Sequence, residues 1–302
     1  MKTLCLYNQK AGRCNVRELK KAFRERPFWG DVTFHALGAN SLDLNGLLDG
    51  CEKVAVFGGD GTVHHVIQSL AFRNVELNVF PMGTANDLCY ALGSTDCLKD
   101  LLDGLENGKR VAYDTISLNG RHVITGGGFG LGYQAADSAN RLRSGALGFL
   151  FRRGFRSQIY LLTLGWHGFF SPPPKVRYQL RVNEKTMEGT TQSLLFCNQS
   201  IMGKNILVAP GTSGVDGRFQ VMRFLNGNTR SVLKTLIHLK SGSPSAEKFL
   251  DRHETQQAEI EFETPVAAYG DGEIFSPQTL WQLRCHRGSI SLRTPAAFMD
   301  EP

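Results

Sequence analysis

Two glycine-rich turns carry most of the chemistry available to this chain. Residues 57–62 read Phe-Gly-Gly-Asp-Gly-Thr, and Pro81-Met82-Gly83-Thr84-Ala85-Asn86-Asp87 follows after one amphipathic stretch. Phosphate oxygens must come close to backbone N–H groups, and a Cβ at such positions would stand in the way. Asp60 and Asp87 add the hard oxygen ligands taken by a Mg²⁺ ion riding on nucleotide phosphates. Neither turn is a Walker A loop, since no Gly-Lys-Ser/Thr follows, and neither reads Gly-x-Gly-x-x-Gly. One Gly-Gly-Asp-Gly alone could be an ordinary turn; two such loops, each behind a hydrophobic run, point to a nucleotide. A third piece lies near the end of the sequence, Tyr269-Gly270-Asp271-Gly272-Glu273. Asp-Gly is a good hairpin dipeptide, so a plain β-turn is one reading. The other places Glu273 opposite the two loops, as the carboxylate beside an acceptor hydroxyl, with Asp60 and Asp87 at the phosphate donor. On either reading Asp60 is expected on an exposed loop, and Asp271 is expected to tolerate exchange for Asn.

These loops need strands and helices to aim them. Val54–Phe57 and Leu77–Phe80 read as buried parallel strands, and Val63–Phe72 between them has helical spacing at Val63, Val66, Ile67 and Leu70. Both loops then sit at the carboxyl ends of neighbouring strands, where open α/β sheets bind ligands. Leu4–Tyr7 is a further strand, and Val16–Phe23 and Cys97–Leu105 are further helices. His64 and His65 point about 100° apart on a helix and cannot chelate together; one is expected to be buried and the other solvated or site-lining. From about residue 112 the period changes to two. Lys175–Val182 and Ala258–Glu263 alternate strictly, with Ser193–Cys197, Arg218–Leu225, Thr279–Leu283 and Ser289–Leu292 as further strand candidates. Only Thr229–Leu239 clearly interrupts this run with helical spacing. The expectation is an α/β amino-terminal nucleotide-binding domain with a parallel sheet over residues 1–120, followed by a mostly antiparallel β-sandwich over 121–286, with 287–302 returning to the first domain.

Composition narrows the class. With 41% hydrophobic and 21% charged residues in 302, the chain is globular rather than disordered. Seven cysteines without a Cys-x-x-Cys pair read as free thiols in a reducing, cytoplasmic setting, and no signal peptide is visible. The most apolar stretch, Ile159–Phe170, is too short to span a bilayer. The net charge of +6 suits an anionic partner. Arg141, Arg143, Arg152, Arg153 and Arg156 interleave with large hydrophobes, as in a segment lying on anionic lipid headgroups or in an amphipathic core helix. No nucleic-acid motif accompanies them.

The order Gly-Gly-Asp-Gly-Thr, Pro-Met-Gly-Thr-Ala-Asn-Asp, Asp-Gly-Glu, in a chain of this length, resembles the diacylglycerol-kinase-type lipid kinases, including the soluble bacterial members and the sphingosine and ceramide kinases. The resemblance runs over nearly the whole chain. It implies ATP and Mg²⁺ as cofactors, a lipid alcohol as substrate, and peripheral contact with an anionic membrane. It implies nucleotide contacts at Asn8, Gly12, Gly58, Gly59, Asp60, Gly61, Thr62, Gly83, Thr84 and Asn86, and catalysis by Glu273, Asp60 and Asp87. It also implies metal binding at Asp60 and, for a structural Mg²⁺, at Asp216 with the carbonyls of Ser213 and Arg218. Gln9, Ala36, His65, Gly211 and Val215 depart from the family pattern. An NAD kinase, which shares Gly-Gly-Asp-Gly-Thr and is faintly echoed at 145–150, is the alternative enzyme. A catalytically weak lipid-binding protein of the same fold is the alternative from another class.

Overall fold

Val54-Ala55-Val56-Phe57 has an apolar side chain at every position, and a strand of that kind must be covered on both faces. The computed structural model describes residues 1–8, 16–38, 44–83, 85–94, 97–144, 159–203, 206–225, 228–241, 249–296 and 298, and it covers this strand so. Strands Asp31–Leu37, Lys2–Asn8, Lys53–Gly58 and Glu76–Pro81 lie side by side in that order, all parallel. Val54 and Val56 pack with Val63, Val66, Ile67 and Leu70 of helix Asp60–Leu70. Ala55 and Phe57 turn the other way, into an aromatic cluster with Phe23, Trp29 and Phe80. Phe57 and Phe80 stack there with centroids 4.3 Å apart. Helices Val16–Arg24 and Leu98–Glu106 close that side.

The second half is antiparallel. Gln257–Gly270, Gly126–Gly130, Ser193–Cys197, Phe219–Phe224 and Leu250–Thr255 are neighbours in that order, and the hairpin Val176–Val182 with Lys185–Thr191 adds to the same edge of Gln257–Gly270 nearer that strand's start, at Ala258–Phe262. Period-2 alternation buries both faces. Leu194 and Phe196 face a sandwich core with Phe129, Leu180, Phe262 and Trp281. Leu195 and Cys197 face a helical layer instead, made of Leu131–Ser144, Ile159–Phe169 and Thr229–Lys240. Two of these three helices correct the sequence reading, which gave helical spacing to Thr229–Leu239 alone. Ile159–Phe169 is apolar nearly all round, so it shows no stripe, and Leu131–Ser144 follows a glycine-rich strand directly.

Thr279–Leu283 and Ser289–Leu292 prove to be parts of one strand, Glu273–Thr294. A register shift between His286 and Ile290, with Gly288 at a φ of +59°, bends it. Its start pairs with Gln257–Gly270, and at its end Ser291 and Leu292 pair in parallel with Glu76 and Leu77. One strand thus crosses from the antiparallel half into the parallel one. Arg293 locks the crossing. It donates to the carbonyls of Leu105, Glu106 and Gly108 at 2.6–3.2 Å and pairs with the buried Glu76 at 3.2 Å. Arg293→Met should cost about 3–5 kcal/mol in a denaturant titration, because Glu76 is left as a buried charge without its partner.

Candidate active site

The two glycine turns meet backbone to backbone. A Cβ built on Gly59 would stand 2.8 Å from the Cα of Gly83, so neither position admits a side chain without parting the loops. Asp60 opens helix Asp60–Leu70 and fastens the second loop: its carboxylate accepts the N–H groups of Asn86 at 2.9 Å and Asp87 at 2.7 Å. It is therefore a partly buried clasp, not a residue of an exposed loop. Asn86, held at a φ of +53°, accepts the Gly83 N–H through its side-chain oxygen at 2.9 Å. Asn8 reaches Thr62 Oγ1 at 3.5 Å, and the Thr62 methyl and hydroxyl fill the space over Gly58. Burial, and then the charge of nearby Asp87, push the Asp60 pKa up to about 7. Asp87 in turn accepts the Gly203 N–H at 3.1 Å, which ties the loop to the second half. Gly12 and Thr84 lie outside the described residues, as do Arg152, Arg153 and Arg156 and the 145–150 stretch.

The hairpin meets these loops from the opposite side. Asp271 and Gly272 form its two-residue turn, both with positive φ (+52° and +82°), and Gly270 pairs with Glu273 across it. Glu273 is exposed, and its carboxylate lies against Gly61, where a Cβ would collide with Oε1. Asp271 is not the dispensable turn residue the sequence implied. Its buried carboxylate accepts the N–H groups of Ile124 and Thr125, the Thr125 hydroxyl at 2.7 Å and a hydrogen bond with His64 Nδ1 at 3.0 Å. His64 is buried and His65 exposed. Nothing in the short-range pattern signals a bond between residues 207 positions apart, so sequence reasoning missed the pair.

A cavity of about 280 Å³ opens from Gly59, Asp60, Asp87 and Glu273. It runs inward between the sheet and the helical layer, past Leu131, Ala136, Leu164, Leu195, Val208 and Val232. The Tyr160 and Tyr269 hydroxyls, hydrogen-bonded to one another, border it. Asp216, Ser213 and Arg218 are together but do not line this cavity. Asp216 accepts the Arg218 N–H at 2.7 Å, and burial raises its pKa, as it does that of Asp114 nearby. Among the described residues, no group of three or more His, Cys, Asp or Glu side chains is set to hold a metal.

The sequence pattern of the diacylglycerol kinase catalytic domain matches residues 2–118. That of the YegS C-terminal NAD-kinase-like β-sandwich domain matches residues 170–292. The chain belongs to the diacylglycerol-kinase-type lipid kinases. A Shewanella frigidimarina protein named "Probable lipid kinase YegS-like" is 25% identical over 90% of this chain and 87% of its own length. A Staphylococcus carnosus protein described as a candidate lipid kinase is 24% identical over 61% of this chain and 58% of its own length. Among solved structures, a diacylglycerol kinase from Bacillus anthracis superposes with a TM-score of 0.76 at 19% identity, covering 98% of both chains. That likeness is one of fold.

Two outcomes follow for a lipid kinase with this clasp. Gly83→Ala forces Gly59 and Gly83 apart, so stability should fall by about 1–3 kcal/mol, and calorimetry should show weakened ATP binding. For Asp60, the folded-state pKa lies above the ordinary value of 3.8. Its stabilising contribution is therefore present in acid and is lost as pH rises through the interval from 3.8 to about 7. The ¹³Cγ resonance of Asp60 should titrate near the top of that interval and move toward the usual carboxylate range when Mg·ATP is added.

Proposed function

We propose that the protein transfers the γ-phosphoryl group of ATP to a hydroxyl of a diacylglycerol-like or related lipid alcohol. One observation carries this reading: the cavity that starts at Asp60, Asp87 and Glu273 continues as an apolar channel. Such a channel takes an acyl or alkyl chain and leaves a terminal hydroxyl at the carboxylates, whereas a polar acceptor such as NAD would lose its hydrogen bonds there. The NAD-kinase likeness is confined to the sandwich pattern of residues 170–292. The channel lies between the sheet and the helical layer, so it is this gap, and not the interior of the sandwich, that receives the chain.

The roles follow from surroundings. Glu273 is the proposed general base, because it is exposed at the cavity mouth and free to approach an acceptor hydroxyl. Asp271 anchors it from two residues away with a carboxylate already committed to four donor groups. The N terminus of helix Asp60–Leu70, with the backbone around Gly59, Gly61 and Gly83, favours phosphate oxygens. Asn8, Thr62 and Asn86 brace that surface. Asp60 and Asp87, partly buried near one another with like charge, fit a Mg²⁺ ion, which commonly takes one or two carboxylates and completes its shell with phosphate and water. The ion would neutralise charge on the phosphoryl oxygens. Asp216, with Ser213 and Arg218, is proposed as a second, structural cation site, where a cation would offset the repulsion between Asp216 and Asp114. The buried thiols Cys5, Cys51, Cys89 and Cys197 suit a reducing, cytoplasmic setting, and a basic protein acting on lipid suits peripheral contact with an anionic membrane.

Incubation of the pure protein with labelled ATP, Mg²⁺ and a total lipid extract tests the reading. The label should enter a phospholipid; label in NADP, or ATP left unconsumed under all acceptors, would reject it. Glu273→Gln should lower kcat about 10²–10⁴-fold with ATP affinity unchanged. Asp271→Asn loses an acceptor inside a buried network, so it should lower stability by about 1–3 kcal/mol in thermal unfolding as well as lowering kcat. A Glu273→Gln enzyme with full kcat would remove the base from this position.

A further inference from the structure

We propose that the outer face of helix Ile159–Phe169 is the surface that docks on an anionic lipid bilayer; the idea takes its purpose from the lipid-kinase reading above. Leu162, Trp166, Phe169 and Phe170 fall at i, i+4, i+7 and i+8, which places them on one side of the helix and its end. All four are exposed, Trp166 by 60% and Phe170 by 74%. The opposite side is packed: Ile159, Thr163 and Gly168 are buried, and Thr163 Oγ1 bonds the Ala135 carbonyl at 3.0 Å. Trp166 and Phe170 rest against each other, centroids 5.0 Å apart, so they form one continuous apolar ridge. An exposed ridge of this kind marks an interaction surface, and a tryptophan with a polar N–H is suited to the headgroup level of a membrane.

Three features select a bilayer as the occupant. The ridge continues into the lipid channel, since Leu161 both lines the cavity and is partly exposed on the same helix. The neighbouring helix Thr229–Lys240 repeats the arrangement, with Val232 and Leu236 in the cavity wall and Ile237 exposed beside them. Gly168 and Leu233 bring the two helices into contact, and Thr229 Oγ1 bonds the Gly168 carbonyl at 3.0 Å. A lipid chain leaving a bilayer pressed against this face reaches the cavity without exposing its methylenes to water, each of which adds to the cost. Charge is the third feature. Neither helix contains an Asp or Glu, while Arg230 and Lys234 stand exposed on the second one. That is complementary to anionic headgroups and not to a basic or neutral partner.

Intrinsic fluorescence tests the proposal directly, because the chain has three tryptophans and two are hidden, Trp29 at 0% and Trp281 at 2% exposure. Emission should shift to the blue when vesicles of phosphatidylcholine with phosphatidylglycerol are added to the full chain without ATP, and bromine-labelled acyl chains should quench it. Trp166→Glu should weaken vesicle partition about tenfold or more, the loss expected when one large apolar side chain no longer leaves water. Phe170→Ser should weaken it in the same direction. Both variants should keep the wild-type circular dichroism and the wild-type kcat/KM on a short-chain lipid alcohol dissolved as monomers. Partition by Trp166→Glu equal to wild type would overturn the proposal. So would equal binding to phosphatidylcholine alone, or a lipid-free dimer in sedimentation that hides Trp166. Binding is read without turnover, so its failure and failure of the kinase assay are separate results.

Discussion

The site depends on the close approach of two peptide backbones. Gly59 and Gly83 touch where side chains would otherwise be, and Asp60 holds them there by accepting two amides of the second loop. The clasp has a cost, visible in the Asp60 carboxyl itself, which burial and Asp87 push up to about 7. A carboxylate that is uncomfortable alone gains from a cation and from a ligand that brings one. Stability withheld at the site is thereby made available to binding, a common trade in functional centres.

The remaining architecture brings Glu273 and an apolar cavity to this clasp. The antiparallel sheet has two buried faces with separate duties. Its sandwich face, with Phe129, Phe196 and Trp281, is densely packed and supplies cohesion. Its other face, with Leu195 and Cys197, leaves room beneath three helices for a guest. The Asp271–Gly272 turn joins these layers to the first half. Asp271 is tied to Ile124, Thr125 and His64, and the last of these comes from the helix that Asp60 begins. Glu273 is therefore positioned by bonds that reach both halves.

Much of this was legible where local signals suffice. The parallel strands around Val54–Phe57 and Leu77–Phe80, the helix between them, the hairpin dipeptide Asp271-Gly272 and the alternating strands at 176–182 and 258–262 follow from period and turn chemistry. That one of His64 and His65 is buried and the other exposed follows from the 100° step of a helix; which one is buried does not. What failed to show lies in long-range contact. Asp271 reads as a turn residue until its partners, 146 to 207 positions away, are in view. Asp60 reads as an exposed loop residue because its acceptor role is played toward amides, which every sequence contains. Helix Ile159–Phe169 lacks an amphipathic stripe because it is apolar toward both the cavity and its outer face. Strand Asp31–Leu37 sits at the sheet edge, where no strong pattern is demanded of it.

The crossing strand Glu273–Thr294 also sets an order of events at the ribosome. Ile290 and Leu292 belong to the core of the first half, beside Val54, Val66 and Leu77, yet they follow every other strand of the second half in the chain. Domains ordinarily fold in the order in which they are synthesised. Here the amino-terminal half emerges first with an uncovered edge along Glu76–Pro81, and it keeps that edge until the final strand arrives to pair with it. The nascent protein must carry an unfinished parallel sheet through the synthesis of the 209 residues from 82 to 290. Throughout this interval the unpaired amides and carbonyls of Glu76–Pro81 are open to pairing with another chain.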